Sequence, residues 1–122
     1  MDREEAVKKL RIEEVFAMST GSVSYFKHIT GGIYTEGVQA VAEIAGAYWL
    51  IDAIFSYARK EEIQFWTLEV KASKAILTMK EDDDRPEIVR QEIEFTDFPE
   101  GTWKFYVAMQ EGKPVLMVPN EY

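Results

Sequence analysis

Residues 36–60 read EGVQAVAEIAGAYWLIDAIFSYARK, the longest helix-forming and apolar run in the chain. Within residues 45–58 the only acidic residue is Asp52. A helix that is apolar nearly all the way round has to be covered on more than one side, which predicts a central core helix. Thr35 is placed to cap it, its hydroxyl accepting from an N–H of the first turn, and Glu36 beside it suits the positive end of the helix dipole. The helix is expected over residues 35–60, meeting the rest of the protein through Ile44, Tyr48, Ile51 and Phe55. Gly46, between Ala45 and Ala47, costs about 1 kcal/mol against alanine in a helix interior. A small-residue patch there predicts the close approach of another element.

Outward from this run the period changes. Residues 2–18 contain no Gly or Pro and carry Val7, Leu10, Val15 and Phe16 among charges, which predicts an amphipathic N-terminal helix. Residues 19–34 (STGSVSYFKHITGGIY) are rich in Ser, Thr and Gly and read as a loop, with at most a short extended piece over residues 23–27. After residue 60 the alternation becomes two. Strands are expected over residues 64–70, 74–80, 88–95, 103–109 and 115–118, with Glu111-Gly112 as a tight turn and Pro119 as a stop. Short turns leave no room for crossover helices, so the sheet is expected to be a five-stranded antiparallel meander. The fold class is α+β: an N-terminal helix and a long central helix packed on that sheet, one domain over residues 1–122 with no linker and no repeat.

Composition removes several functions. Hydrophobic residues make up 47% of the 122 and aromatics 13%, far from the composition of disordered chains. With no Cys there is no disulfide, thiolate metal site or cysteine nucleophile, and the single His28 removes every two-histidine metal motif. No metal or cofactor is therefore expected. The opening MDREEAVKKLRIEE is charged where a signal peptide would be apolar, and the central run is too short to span a bilayer. A cytoplasmic protein without membrane contact is expected.

The charge is unevenly placed. Of the net −8, residues 81–100 carry −7, with nine acids against two bases, Arg85 and Arg90. Such a segment repels nucleic acid and attracts basic surfaces.

The chemical candidates are few. His28 with Ser19, Ser22 or Ser24 lacks the nucleophile-elbow spacing of a hydrolase, so a structural role is the stronger reading. Gly31-Gly32 ahead of a helix N-terminus has the makings of a phosphate nest, but no Walker lysine accompanies it. Asp52 projects from an apolar helix near Tyr48, Trp49, Phe55 and Ser56. It is expected to be buried and paired, as a structural carboxylate first and a general acid second. Asp97 in Thr96-Asp97-Phe98-Pro99 has the chemistry of a corner.

Four blocks carry a resemblance: residues 34–38 (YTEGV), 45–52 (AGAYWLID), 96–99 (TDFP) and 119–122 (PNEY). In this order and spacing, from about residue 16 to the C-terminus, they resemble a family of small proteins of unknown function found in bacteria, plasmids and phages. The resemblance brings no activity. It implies a context in which small acidic proteins often block a host system. Three classes follow, in order of preference. The first is a non-enzymatic inhibitor or adaptor of a host nucleic-acid-binding or defence system, CRISPR-type among them. It would present Asp82, Asp83, Asp84, Glu92 and Glu94 to a protein with a basic surface, without touching nucleic acid itself. The second is a small-molecule or nucleotide binder using Gly31, Gly32, Tyr34, Trp49 and Asp52. The third is a carboxylate-based enzyme using Asp52 and Asp97. No catalytic set is assigned, and nothing in the sequence sets an oligomeric state.

Overall fold

Gly46 stops the central helix. Its φ of +63° is left-handed, a conformation glycine adopts without strain. The Ala47 N–H reaches back to the Ala42 carbonyl at 2.8 Å and the Gly46 N–H to Glu43 at 3.4 Å, the paired bonds of a Schellman terminus. The computed structural model describes residues 2–18, 24–57, 63–82 and 84–121. In it the expected single helix over 35–60 is two, α2 (Glu36–Ala45) and α3 (Tyr48–Phe55), preceded by α1 (Arg3–Met18). The expected end at Lys60 lies outside the described residues. A Cβ on Gly46 would meet nothing within 4 Å among the described residues, so its role is conformational, while Ala45 and Ala47 on either side of it are buried in the core.

The break resets the helical phase. The second helix, α3, buries Leu50, Ile51 and Ile54, while Tyr48 and Asp52 turn outward together, four residues apart. Of the four residues expected on the core face, Ile51 is buried, Ile44 and Phe55 are half-buried, and Tyr48 is exposed.

The sheet has seven strands among the described residues: β1 (Tyr25–Lys27), β2 (Ile33–Thr35), β3 (Ile63–Lys71), β4 (Lys74–Lys80), β5 (Val89–Ile93), β6 (Gly101–Gln110) and β7 (Lys113–Met117). Their order is β1-β2-β7-β6-β3-β4-β5. All five expected strands are present, but they do not form a five-stranded antiparallel meander. Two further strands come from the stretch read mainly as a loop, β1 lying within the short extended piece expected there, and β2 runs parallel to β7 through Ile33–Val115 and Tyr34–Leu116. The chain leaves β5 at one edge and returns beside β3 as β6, so β6-β3-β4-β5 is a Greek key.

That return is what the TDFP block builds. Thr96 N–H donates to the Ser73 carbonyl at 2.9 Å, hooking the crossing to the end of the β3–β4 hairpin. The Thr96 hydroxyl accepts from Phe98 N–H at 3.0 Å, Phe98 is buried with its ring 5.6 Å from that of Trp103, and the Trp103 indole donates to the Pro99 carbonyl at 2.9 Å. Asp97 is exposed at this corner.

The helices cover one face of the sheet. Alternation puts Trp66, Leu68 and Val70 of β3, Ala75, Leu77 and Met79 of β4, Trp103, Phe105 and Val107 of β6, and Leu116 of β7 on that face, all buried. Phe16 of α1 sets its ring 5.7 Å from Trp103 and 5.5 Å from Phe105. Gln64, the one buried side-chain amide among the described residues, accepts from the Trp66 indole at 2.9 Å. A smaller cluster of Ala108, Val115 and Met117 lies on the opposite face.

Candidate functional site

The β1–β2 hairpin closes through residues 28–32, with His28 N–H on the Gly32 carbonyl at 2.8 Å and Gly31 N–H on the His28 carbonyl at 2.9 Å. Gly31 has φ +99°. At Gly32 a Cβ would stand 2.6 Å from the edge of the Phe55 ring, so only glycine lets this loop lie on α3. The two glycines therefore shape a hairpin that docks on a helix. They do not open α2, because β2 stands between them and its N-terminus.

His28 is the centre of the dock. Its ring lies 5.0 Å from that of Phe55, its Nε2 is 2.7 Å from Asp52 Oδ1, and its Nδ1 is 2.8 Å from Thr30 Oγ1 and accepts the Thr30 N–H at 3.2 Å. A backbone N–H can only donate, which assigns the lone pair to Nδ1 and a proton to Nε2, facing the carboxylate. Hydroxyl, imidazole and carboxylate thus stand in the order of a general-base relay. One feature opposes that use: the Asp52 side chain is 72% exposed, whereas the orienting acid of such a relay works buried. The expectation of a buried Asp52 is thus corrected: the carboxylate is paired, but from solvent. Of the serines first considered with His28, Ser19 and Ser22 lie outside the described residues, as does Val23 of the expected extended piece.

Beside this dock, Thr30, Phe55, Ser56, Tyr57, Gln64 and Pro114 line an open cleft of about 360 Å³. Tyr34 and Trp49 are half-buried and pack against the helix-side core, Tyr34 stacked 5.5 Å from Phe26. The structure thus joins Gly32 and Asp52 through His28 and Phe55, and gives Tyr34 and Trp49 to packing. Nearby, Tyr48 donates to Glu43 at 2.7 Å, and this bond to a carboxylate raises the phenol above its ordinary pKa, with burial adding to the effect.

The anion at the N-terminus of α2 belongs to the chain itself. Val38 N–H donates to the Thr35 hydroxyl at 3.3 Å, which donates in turn to Glu121 Oε1 at 2.6 Å. The same Oε1 accepts from Val118 N–H at 3.1 Å. Glu121 lies in a short 3-10 turn (Pro119–Glu121), where Asn120 donates to the Phe16 carbonyl at 2.7 Å and so closes the end of α1. Sequence reasoning found Thr35 as the cap and missed Glu121, which is remote in the chain.

The acidic segment lies at the β5 edge. Asp82 and Asp84 are exposed in the β4–β5 connection and Asp83 lies outside the described residues. Glu92 is exposed on β5, opposite Ile76 of β4, and Glu94 follows the strand. The carboxylates are interleaved with cations. Arg90 shares the face of Glu92 and binds Glu87 at 3.2 Å, and Lys74 lines a shallow depression of about 540 Å³ with Ile76, Glu92, Ile93 and Glu94.

Among the described residues no group of three or more His, Cys, Asp or Glu side chains is placed to hold a metal, and no helix is long and apolar enough to cross a membrane. Fold and surface together define a two-layer α+β protein with a mixed seven-stranded sheet and an acidic edge. The chain belongs to the family of unknown function DUF6876, which it matches over residues 10–122. No curated protein and no solved structure matches it.

Proposed function

We propose that this protein is a non-enzymatic binding module whose acidic edge engages a partner with a basic surface. The supporting observation is the exposure of Asp82, Asp84, Glu92 and Glu94 around one edge of a rigid sheet. In its specific form, drawn from the resemblance to plasmid and phage proteins marked by the YTEGV, AGAYWLID, TDFP and PNEY blocks, the partner is a host nucleic-acid-binding or defence protein of the CRISPR type. The acidic edge then occupies a channel built for phosphates. Arg90 and Lys74 break the row of charge, so such binding selects partners with an acidic group of their own between the basic ones.

The test is a binding series with a basic partner recovered from a bacterial host. Binding should weaken steeply as salt rises. Changing Asp82, Asp83, Asp84, Glu92 and Glu94 to Asn or Gln should abolish it while the fold is retained and the melting temperature does not fall. Unchanged binding by that variant sinks the reading. A second reading, a small-molecule site at the cleft beside the Gly31-Gly32 loop, is supported by the lining of Thr30, Phe55, Ser56, Tyr57 and Gln64. It predicts that a nucleotide or other small ligand raises the melting temperature of the wild type and not that of a Phe55→Ala variant.

A further inference from the structure

The last strand in the sheet order is β5, with β4 on one side and no strand on the other among the described residues. Which of its backbone groups face that free edge follows from the hairpin two strands away. Ala72 and Ser73, with φ of +53° and +63°, form a two-residue turn of the I′ kind, which makes Lys71 and Lys74 a hydrogen-bonded pair. Hydrogen-bonded and open pairs alternate along an antiparallel ladder. Ile76 and Thr78 of β4 therefore turn their backbone groups to β3, and Ala75, Leu77 and Met79 turn theirs to β5. Their partners Ile93, Gln91 and Val89 are satisfied. Arg90 and Glu92, between them, aim their N–H and carbonyl groups outward.

The sequence of this edge is complementary to itself. Val89-Arg90-Gln91-Glu92-Ile93, laid antiparallel on a second copy about Gln91, sets Val89 against Ile93, Gln91 against Gln91, and Arg90 of each copy against Glu92 of the other. The two outward-facing residues meet as the hydrogen-bonded pairs, so ladder and charge agree in one register. Glu87 and Glu94 lie beyond the two ends of β5, so the ladder itself does not set these flanking acids against one another. A purely basic strand fits less well, because Arg90 stands in the middle of the edge. We propose that a second copy of this chain docks along β5, giving a two-fold dimer in which the sheet continues through both copies, sealed by two Arg90–Glu92 pairs. Glu92 is shared with the acidic edge offered to a basic partner, whereas Asp82 and Asp84 stay outside the ladder. Loss of self-association in the Arg90 variant therefore leaves the loop's binding to be tested separately.

The experiment is sedimentation equilibrium over a concentration series. It uses wild type, R90E, E92R, the R90E/E92R double variant, and an equal mixture of the two single variants. Each single variant puts like charges together at both pairs and should weaken self-association by at least about tenfold. The double variant swaps the pairs and should restore it. The mixture should form a heterodimer, since one copy then brings only acids and the other only bases. All substitutions are at exposed positions and should leave the fold of the monomer in place, as its circular dichroism spectrum would show. A wild type that stays monomeric at millimolar concentration overturns the proposal, and so does a dimer that persists undiminished in both single variants.

Discussion

Gly37 is buried in the first turn of α2, and within a helix alanine is ordinarily the better residue by about 1 kcal/mol. Here a Cβ would stand 2.7 Å from the Glu121 carboxylate. Glu121 would have to leave the α2 N-terminus, and with it the buried Thr35 hydroxyl and the Val118 N–H would lose their acceptor. An unsatisfied buried polar group costs about 1–3 kcal/mol, so the loss exceeds the gain in propensity. Gly37→Ala is expected to lower stability by about 1 kcal/mol in the wild type. In a Glu121→Ala background it should raise stability, because the clash is gone and only the propensity remains. Urea unfolding of the four members of this cycle decides the matter, and equal effects in the two backgrounds would show that Gly37 and Glu121 do not interact.

Elements differ in how far sequence alone reaches them. Four of the longer strands were legible because five or more residues of alternation are enough to mark a buried face, as in Trp66, Leu68 and Val70. The fifth, β7, does not alternate and was legible by the turn before it and the Pro119 stop after it. Of the three-residue strands, β1 falls within the short extended piece expected over residues 23–27, while β2 was not legible, since three residues carry no period. What makes them strands is the pairing of β2 with β7, a contact made only after the chain has returned from residue 115. The central helix was legible as a run and misread as a unit. Treating residues 35–60 as one cylinder carried the phase of α2 into α3, and Asp52 and Tyr48 were accordingly placed inward. Only the left-handed turn at Gly46 shows why they face out. Of the candidate site, Asp52 was found and its partner was not, because no local spacing links it to His28. The β3–β4 turn gives a prediction at this scale. Ser73 holds φ +63° at the turn position where type I′ geometry favours glycine. A left-handed residue with a Cβ costs roughly 1–2 kcal/mol, part of which glycine returns as unfolded-state entropy. Ser73→Gly should therefore stabilise the protein by about 0.5–1 kcal/mol, seen as a higher urea midpoint at unchanged slope. A lower midpoint would mean that the serine side chain contributes something the turn geometry does not reveal.

At the scale of the whole molecule, the layers and the charge lie at different ends. The C-terminal 3-10 turn, the C-terminal end of α1 and the N-terminal end of α2 are drawn together by Asn120 and Glu121, beside the β2–β7 junction. Most of the excess negative charge lies instead in residues 81–100, along the β5 edge and the crossing to β6. The crossing is anchored by Thr96, Phe98 and Trp103, and the acids around it stay in solvent with mutual repulsion that folding concentrates and unfolding relieves. Screening that repulsion should therefore stabilise the fold. Raising sodium chloride from about 0.01 M to about 0.2 M shortens the Debye length from about 30 Å to under 10 Å, which is the range that separates charges along this edge from charges across it. The melting temperature is expected to rise by about 3 °C over that interval. Salt also acts on apolar surface, so the deciding comparison is with a D82N/D84N/E94Q variant, which leaves Arg90 and Glu92 untouched. Its melting temperature should start higher at low salt and respond to added salt by less than half as much. If the variant and the wild type rise in parallel, the acidic segment exerts no strain on the fold, and its concentration on one edge has to be explained by what it meets there.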